Sequence, residues 1–319
     1  MTDPSLDPFL FHENAIAPAT RAFNRRIEQV ARRTPPVWTM SPREARELRE
    51  SWPPLALVDG AETRIIDGPG GPLGLRIFRA EPCAGFYLHL HAGGWVLGGA
   101  HHQDPRLARI AAETGLTVVS VDYRLAPENP YPAAPDDAEH AALWLVRHGA
   151  RELGGPPWFA IGGESAGAEL AVVALVRLRD RHDSRPFAAL IASYGTFDLG
   201  ATPSARETDE RSLNFDRATF EWYVGHFVPP ELRQDPDVSP LFARLHELPP
   251  ALFTVGTLDP VLDDTLFMHA RWIAAGNRAV LAIHPGGVHG FDEFKFPLAE
   301  SAHQRIHAFL RDGRERADT

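Results

Sequence analysis

The chain alternates between two hydrophobic periodicities. Short, nearly continuous apolar runs occur at Phe86 to His91, Thr117 to Asp122, Trp158 to Gly162, Ala188 to Ser193, Ala251 to Val255 and Ala279 to Ile283. They predict strands covered on both faces, since a half-exposed strand would alternate apolar with polar residues. Between them lie stretches of helical spacing near Pro105 to Glu113, Pro135 to Arg151, Ala166 to Arg181, Asp263 to Ala275 and Pro297 to Arg311. Prolines near several starts, and Gly115, Gly154 and Gly276 after three ends, supply the expected boundaries. Such alternation predicts an α/β protein with a mostly parallel sheet, helices on both faces and right-handed crossovers.

Three segments depart from that pattern. Arg64-Ile65-Ile66 and Leu75 to Phe78 flank the turn-rich stretch Asp67 to Pro72, which predicts an antiparallel hairpin. Residues 1 to about 55 are broken by Pro4, Pro8, Pro35, Pro36, Pro53 and Pro54 and hold two helix-like stretches, around Ala19 to Arg33 and from Ser41-Pro42. A short helix pair cannot cover Phe9, Leu10, Phe11, Ile16, Phe23, Val30 and Trp38, so this arm is expected to pack over a main body spanning 56–319. Between Phe197 and Pro249 no strand is predicted. An insertion at about 200–235, with a polar loop from Gly200 to Arg211 and the aromatics Phe215, Phe220, Trp222, Tyr223 and Phe227, reads as a lid or binding loop.

Composition narrows the function classes. A chain of 319 residues, 44% hydrophobic and 23% charged, builds an ordinary core and is neither disordered nor fibrous. Its net charge of -10 repels nucleic acid and anionic lipid surfaces. No apolar run is long enough for a membrane span, the start lacks a basic and then apolar leader, and Cys83 is the single cysteine. A cytoplasmic protein with no integral membrane association is expected. The polar run Asp209-Glu210-Arg211 and the tail Arg311 to Arg316 read as solvated surface.

Gly163-Glu164-Ser165-Ala166-Gly167 matches G-x-S-x-G, and it stands between a predicted strand and a predicted helix, the setting in which this sharp turn exposes a nucleophilic hydroxyl. A serine needs a base to take its proton. His289 lies in a glycine-rich loop after the last strand and is the favoured candidate among fifteen histidines. Asp259, at the carboxyl end of a strand, is placed to orient it, with Asp263, Asp264 and Asp198 as rivals. Gly93 and Gly94 after a central strand, with Ala166 after the serine, offer backbone N–H donors for an oxyanion. A metal site at His89, His91, His101 and His102 is disfavoured, because neither HExxH nor a carboxylate cluster accompanies them.

Taken together, His91-Ala92-Gly93-Gly94-Trp95, Asp122 to Glu128 with Tyr131 to Ala134, Gly163 to Gly167, Asp259-Pro260 and His289-Gly290-Phe291 resemble the hormone-sensitive-lipase-like esterases, the bacterial family IV carboxylesterases. The resemblance spans about residues 60 to 312. It implies an eight-stranded α/β-hydrolase fold, a cap formed by the N-terminal arm and the insertion, and cofactor-free hydrolysis of short- to medium-chain esters. It assigns Ser165 as nucleophile, His289 as base, Asp259 as acid and Gly93, Gly94 and Ala166 as oxyanion donors. Mainly from the resemblance, Trp95, Phe215, Phe220, Trp222 and Phe227 are expected to line the substrate pocket. A small ester is the implied partner, and a homodimer is compatible. Three positions depart from the family pattern: Ala92 replaces a glycine, Glu164 an aspartate, and Ala168-Glu169 replaces Gly-Asn. Glu169, four residues after Ser165, reads as a solvated helix position, or as a carboxylate that disfavours anionic substrates or raises the histidine pKa. The rival functions are an amidase of arylformamidase type and a non-catalytic ligand receptor on the same fold.

Overall fold

The computed structural model describes residues 6–51, 57–208, 213 and 215–316. The strands are β1 (Glu62–Gly68), β2 (Gly71–Phe78), β3 (Phe86–Leu90), β4 (Thr117–Asp122), β5 (Phe159–Glu164), β6 (Phe187–Ser193), β7 (Ala251–Gly256) and β8 (Ala279–His284). They form one sheet in the order β1-β2-β4-β3-β5-β6-β7-β8. The predicted hairpin is β1 and β2, and β2 also runs antiparallel to β4. All remaining pairs are parallel.

The helices are α1 (Pro18–Ala31), α2 (Pro42–Ser51), α3 (Asp104–Thr114), α4 (Ala133–Leu153), α5 (Ala166–His182), α6 (Pro203–Arg206), α7 (Arg217–Phe227), α8 (Leu262–Ala274) and α9 (Pro297–Glu315). Residues alternate between the sheet faces, which sorts the core into two layers. Phe86, Leu88 and Leu90 of β3 join side chains of α4, α5 and α8, while Tyr87 joins Leu107 and Ile110 of α3 and Ile306 and Leu310 of α9. β3 and β5 are buried along their whole length, as their continuous apolar runs predict.

β5 continues two residues beyond its predicted end. Gly163 pairs with Ala192 and Glu164 with Ser193, and a Cβ on Gly163 would stand 2.2 Å from the carbonyl of Leu90. Glycine ordinarily weakens a strand, but here it permits the close approach that carries β5 up to the predicted turn.

The arm meets the body through few residues. Asn24 donates to the Gly286 carbonyl at 2.9 Å, and Phe23 stacks on Phe296 with centroids 4.1 Å apart. Arg49 donates to the Val96 carbonyl at 3.0 Å, and the Trp222 indole donates to the Met40 carbonyl at 3.1 Å, joining the arm to α7. The expectation that the arm buries its apolar residues is corrected for Phe9, Phe11, Val30 and Trp38, which stay exposed. α1 contributes one face, where Thr20 and Asn24 are buried, and α2 contributes the buried Ala45. The polar run Asp209-Glu210-Arg211 lies outside the described residues. Among those described, no helix is long and apolar enough to cross a membrane.

Candidate active site

β5 ends directly in Ser165, whose φ of 54° and ψ of -119° lie where non-glycine residues seldom go. Such a conformation costs about 1–3 kcal/mol and persists only where its surroundings enforce it. They do so here: the Ser165 N–H donates to the Ser193 carbonyl at 2.9 Å, and α5 begins at the next residue. Gly167 is required for closeness, since a Cβ there would stand 1.9 Å from the Leu90 carbonyl.

The loops after β7 and β8 bring two distant residues to this turn. His289 Nε2 is 2.9 Å from Ser165 Oγ, and its Nδ1 is 3.0 and 3.1 Å from the two carboxylate oxygens of Asp259. Asp259 is buried and also accepts the Val261 N–H. Burial acts to lower the His289 pKa, but the charge and hydrogen bond of Asp259, reinforced by Glu293 and Asp292, raise it overall. The rival carboxylates are engaged elsewhere. Asp264 accepts the N–H groups of Phe197 and Asp198 and the Thr202 hydroxyl, Asp263 accepts the Ser204 N–H, and Asp198 accepts the Gly200 N–H. Burial pushes the Asp264 pKa up to about 7.

Gly93 and Gly94 follow β3, whose Leu90 pairs with Gly163 of the serine turn. Gly93 has φ of 126°, and a Cβ there would stand 2.1 Å from the Leu97 carbonyl, so the position excludes a side chain. Among the described residues, no acceptor takes the N–H of Gly93 or Gly94. The Ala166 N–H opens α5, where a helix provides no acceptor of its own. The loop is braced by His91, whose ring stacks on Tyr123 with centroids 4.1 Å apart while the Tyr123 hydroxyl donates to the His91 carbonyl.

The family model described as alpha/beta hydrolase fold matches residues 87–293. The chain belongs to the α/β-hydrolase family. It is 33% identical over 283 residues to Esterase LipI of Mycobacterium tuberculosis, covering 86% of this chain and 83% of that protein. Carboxylesterase NlhH of the same species is 35% identical over 221 residues, or 67% of this chain and 69% of that one. A hyperthermophilic esterase from the archaeon Pyrobaculum calidifontis superposes with a TM-score of 0.82 at 29% identity, covering 93% of this chain and 98% of that chain. The resemblance and the eight-stranded fold read from the motifs are borne out.

The departures Glu164 and Glu169 occupy two different interiors of this hydrolase. Glu164 is buried below the turn, bonded to His89 Nε2 at 2.8 Å and paired with Arg106 at 2.9 Å. Arg106 on α3 also pairs at 3.0 Å with Asp292, which accepts the Tyr194 hydroxyl. Burial opposes the charge on Glu164, but Arg106 and His89 outweigh it and hold the pKa at about 2. One arginine thus ties the residue before Ser165 to the loop that carries His289, whose ring is edge-on to Tyr194 at 5.1 Å.

Glu169 is neither solvated nor turned to His289. It is fully buried and accepts the Trp95 indole N–H at 2.8 Å. α5 is covered on nearly all sides, so the position four residues after Ser165 meets the glycine loop's own Trp95. Burial raises the Glu169 pKa well above its ordinary value, against the Trp95 hydrogen bond, so the site disfavours the charged form. Glu169→Gln is therefore expected to preserve the thermal midpoint and the pH profile of kcat/KM. Glu169→Ala, which leaves the indole unpaired, should cost about 1–3 kcal/mol in denaturant unfolding.

The five aromatic candidates separate by position. Phe215 stacks on His289 with centroids 4.5 Å apart. Trp222 holds the arm, while Trp95, Phe220 and Phe227 are buried, Trp95 stacked on Phe227 at 4.6 Å. Sequence reasoning gave no role at the site to Arg106, Tyr194 or Glu293, and placed Tyr223 only within the lid segment; its ring covers Gly94 so closely that a Cβ there would be 2.3 Å away. No motif carries them: Arg106, Tyr194 and Tyr223 act on neighbours distant in sequence, and Glu293, four residues after His289, lies beyond the His289-Gly290-Phe291 block.

Proposed function

We propose that this chain is a serine carboxylesterase in which Ser165 attacks, His289 moves the proton and Asp259 orients the imidazole. The observation that supports this most directly is the continuous line from Ser165 Oγ through both ring nitrogens of His289 to the buried Asp259 carboxylate. His289 takes the serine proton as Oγ bonds to the ester carbonyl, Asp259 stabilises the imidazolium, and the proton then passes to the departing alcohol. Water, deprotonated by His289, releases the acid from the acyl-enzyme. The N–H groups of Gly93, Gly94 and Ala166 receive the oxyanion. The esterase and carboxylesterase names of the relatives support the reaction class.

Residues 6–51 and about 200–235 form the cap in this reading. Phe215 over His289 and Tyr223 over Gly94 narrow the space around the scissile bond, which suits acyl chains of about two to eight carbons. A p-nitrophenyl ester series from acetate to palmitate tests both parts. Rates that climb toward palmitate would remove the chain-length assignment, and absence of hydrolysis throughout would remove the esterase reading.

The pH profile offers a separate check. The base works only when neutral, and the Asp259 charge favours its protonated form, so the acid limb of kcat/KM should lie above the ordinary imidazole value of 6.5. Asp259→Asn is expected to move that limb to lower pH and to reduce kcat by about 10⁴-fold, since the tautomer is no longer fixed.

A further inference from the structure

The active-site wall holds a carboxylate that the hydrolytic steps leave unused. Glu293 lies four residues after His289, at the end of the single 3-10 turn Phe291–Glu293. The residue is exposed at the surface, while charged and titratable groups enclose its carboxylate. These are His289 and Asp292 on its own loop, Glu164 at the end of β5, Arg106 on α3, Tyr194 after β6 and Tyr223 on α7. A side chain both accessible and ringed in this way lines a cleft. Gln103 donates from Nε2 to Glu293 Oε1 at 3.3 Å. Gln103 is itself 6% exposed, and its amide oxygen is buried without a hydrogen-bond partner. Arg106 and His289 are the cationic groups whose charge acts on Glu293. An anionic acceptor, held from behind by the buried Gln103, therefore stands beside the base.

The chemistry fixes which part of the substrate they meet. His289 must hand its proton to the departing alcohol oxygen, so substituents on the alcohol extend along the His289 side of the cleft. Resting on the esterase reading above, we propose that Glu293 selects esters whose alcohol part carries a cationic N–H donor and disfavours those carrying a carboxylate. Enclosure of the carboxylate among these neighbours, with the charges of Asp292 and Glu164 adding, pushes the Glu293 pKa up to about 7, against the opposing charges of Arg106 and His289. The selection accordingly strengthens as pH rises through neutrality, because only the ionised carboxylate attracts a cation and repels an anion.

Three phenyl acetates of nearly one shape test this, with 4-aminomethyl, 4-ethyl and 4-carboxymethyl substituents. Their kcat/KM values are compared in the wild type and Glu293→Gln from about pH 6 to about pH 8.5, a range that brackets the titration. Expected in the wild type is a cationic-to-neutral ratio that grows to about tenfold at the alkaline end, a matching loss for the anionic probe, and flat ratios in Glu293→Gln. A wild-type ratio that stays near one, or one that Glu293→Gln leaves unchanged, overturns the assignment. Absence of hydrolysis of 4-ethylphenyl acetate would overturn the esterase reading and this one with it. Normal hydrolysis of that probe with flat wild-type ratios removes the role of Glu293 alone.

Discussion

Ser165→Ala is expected to lower kcat for p-nitrophenyl acetate by about a million-fold, the scale at which removing one member of a hydrogen-bonded catalytic unit disables the whole. His289→Ala should cost a similar factor, and the double variant no more than either single one, because the two side chains serve one proton transfer. Alanine keeps the Cβ, so the strained backbone at φ 54° is unchanged and the fold should survive with its thermal midpoint intact. A loss of only about tenfold would mean that another group attacks the ester.

Arg106→Met should produce the largest change in stability. The arginine side chain is 9% exposed and faces two carboxylates, Glu164 and Asp292, that are themselves buried. Its removal leaves two like charges without their shared partner, which costs about 3–5 kcal/mol. For a chain of this length that corresponds to about 6 °C in thermal midpoint. Arg106→Lys should recover only part of it, because an ammonium cannot present the guanidinium fork to both carboxylates. The sign with pH follows from Glu164. Its folded pKa of about 2 lies below the ordinary 4.5, so the stabilisation it shares with Arg106 is complete above 4.5 and lost as pH falls toward 2. The gap between wild type and Arg106→Met should therefore narrow on acidification. A gap independent of pH would show that the arginine contributes mainly through packing.

Much of the frame was legible because its cause is local. Continuous apolar runs marked the buried strands, and the G-x-S-x-G turn fell between one of them and a helix, so Ser165 could be chosen without tertiary information. His289 and Asp259 were legible through chain order, each in a loop after a late strand. The reach of the interior was not. Arg106 sits on a helix of ordinary amphipathic spacing, and periodicity marks a position as buried without saying that it will meet Glu164 from β5 and Asp292 from the His289 loop. Glu169 was misread for the converse reason: a charged residue suggests solvent, whereas α5 is buried around nearly its whole circumference. The aromatic insertion was recognised as a group, but only its tertiary course shows that Phe215 meets His289 and Trp222 meets Met40.

That last contact bears on how the enzyme can be re-engineered. The indole of Trp222 ends on a carbonyl from a segment 182 residues earlier in the chain, so the two stretches behave as halves of a clasp. A chimera that imports one half alone inherits a donor with no matching acceptor, or the reverse. Transplanting residues 6–51 together with 200–235 keeps the clasp closed, and makes the pair the natural unit of exchange when a different ester is wanted on an unaltered sheet.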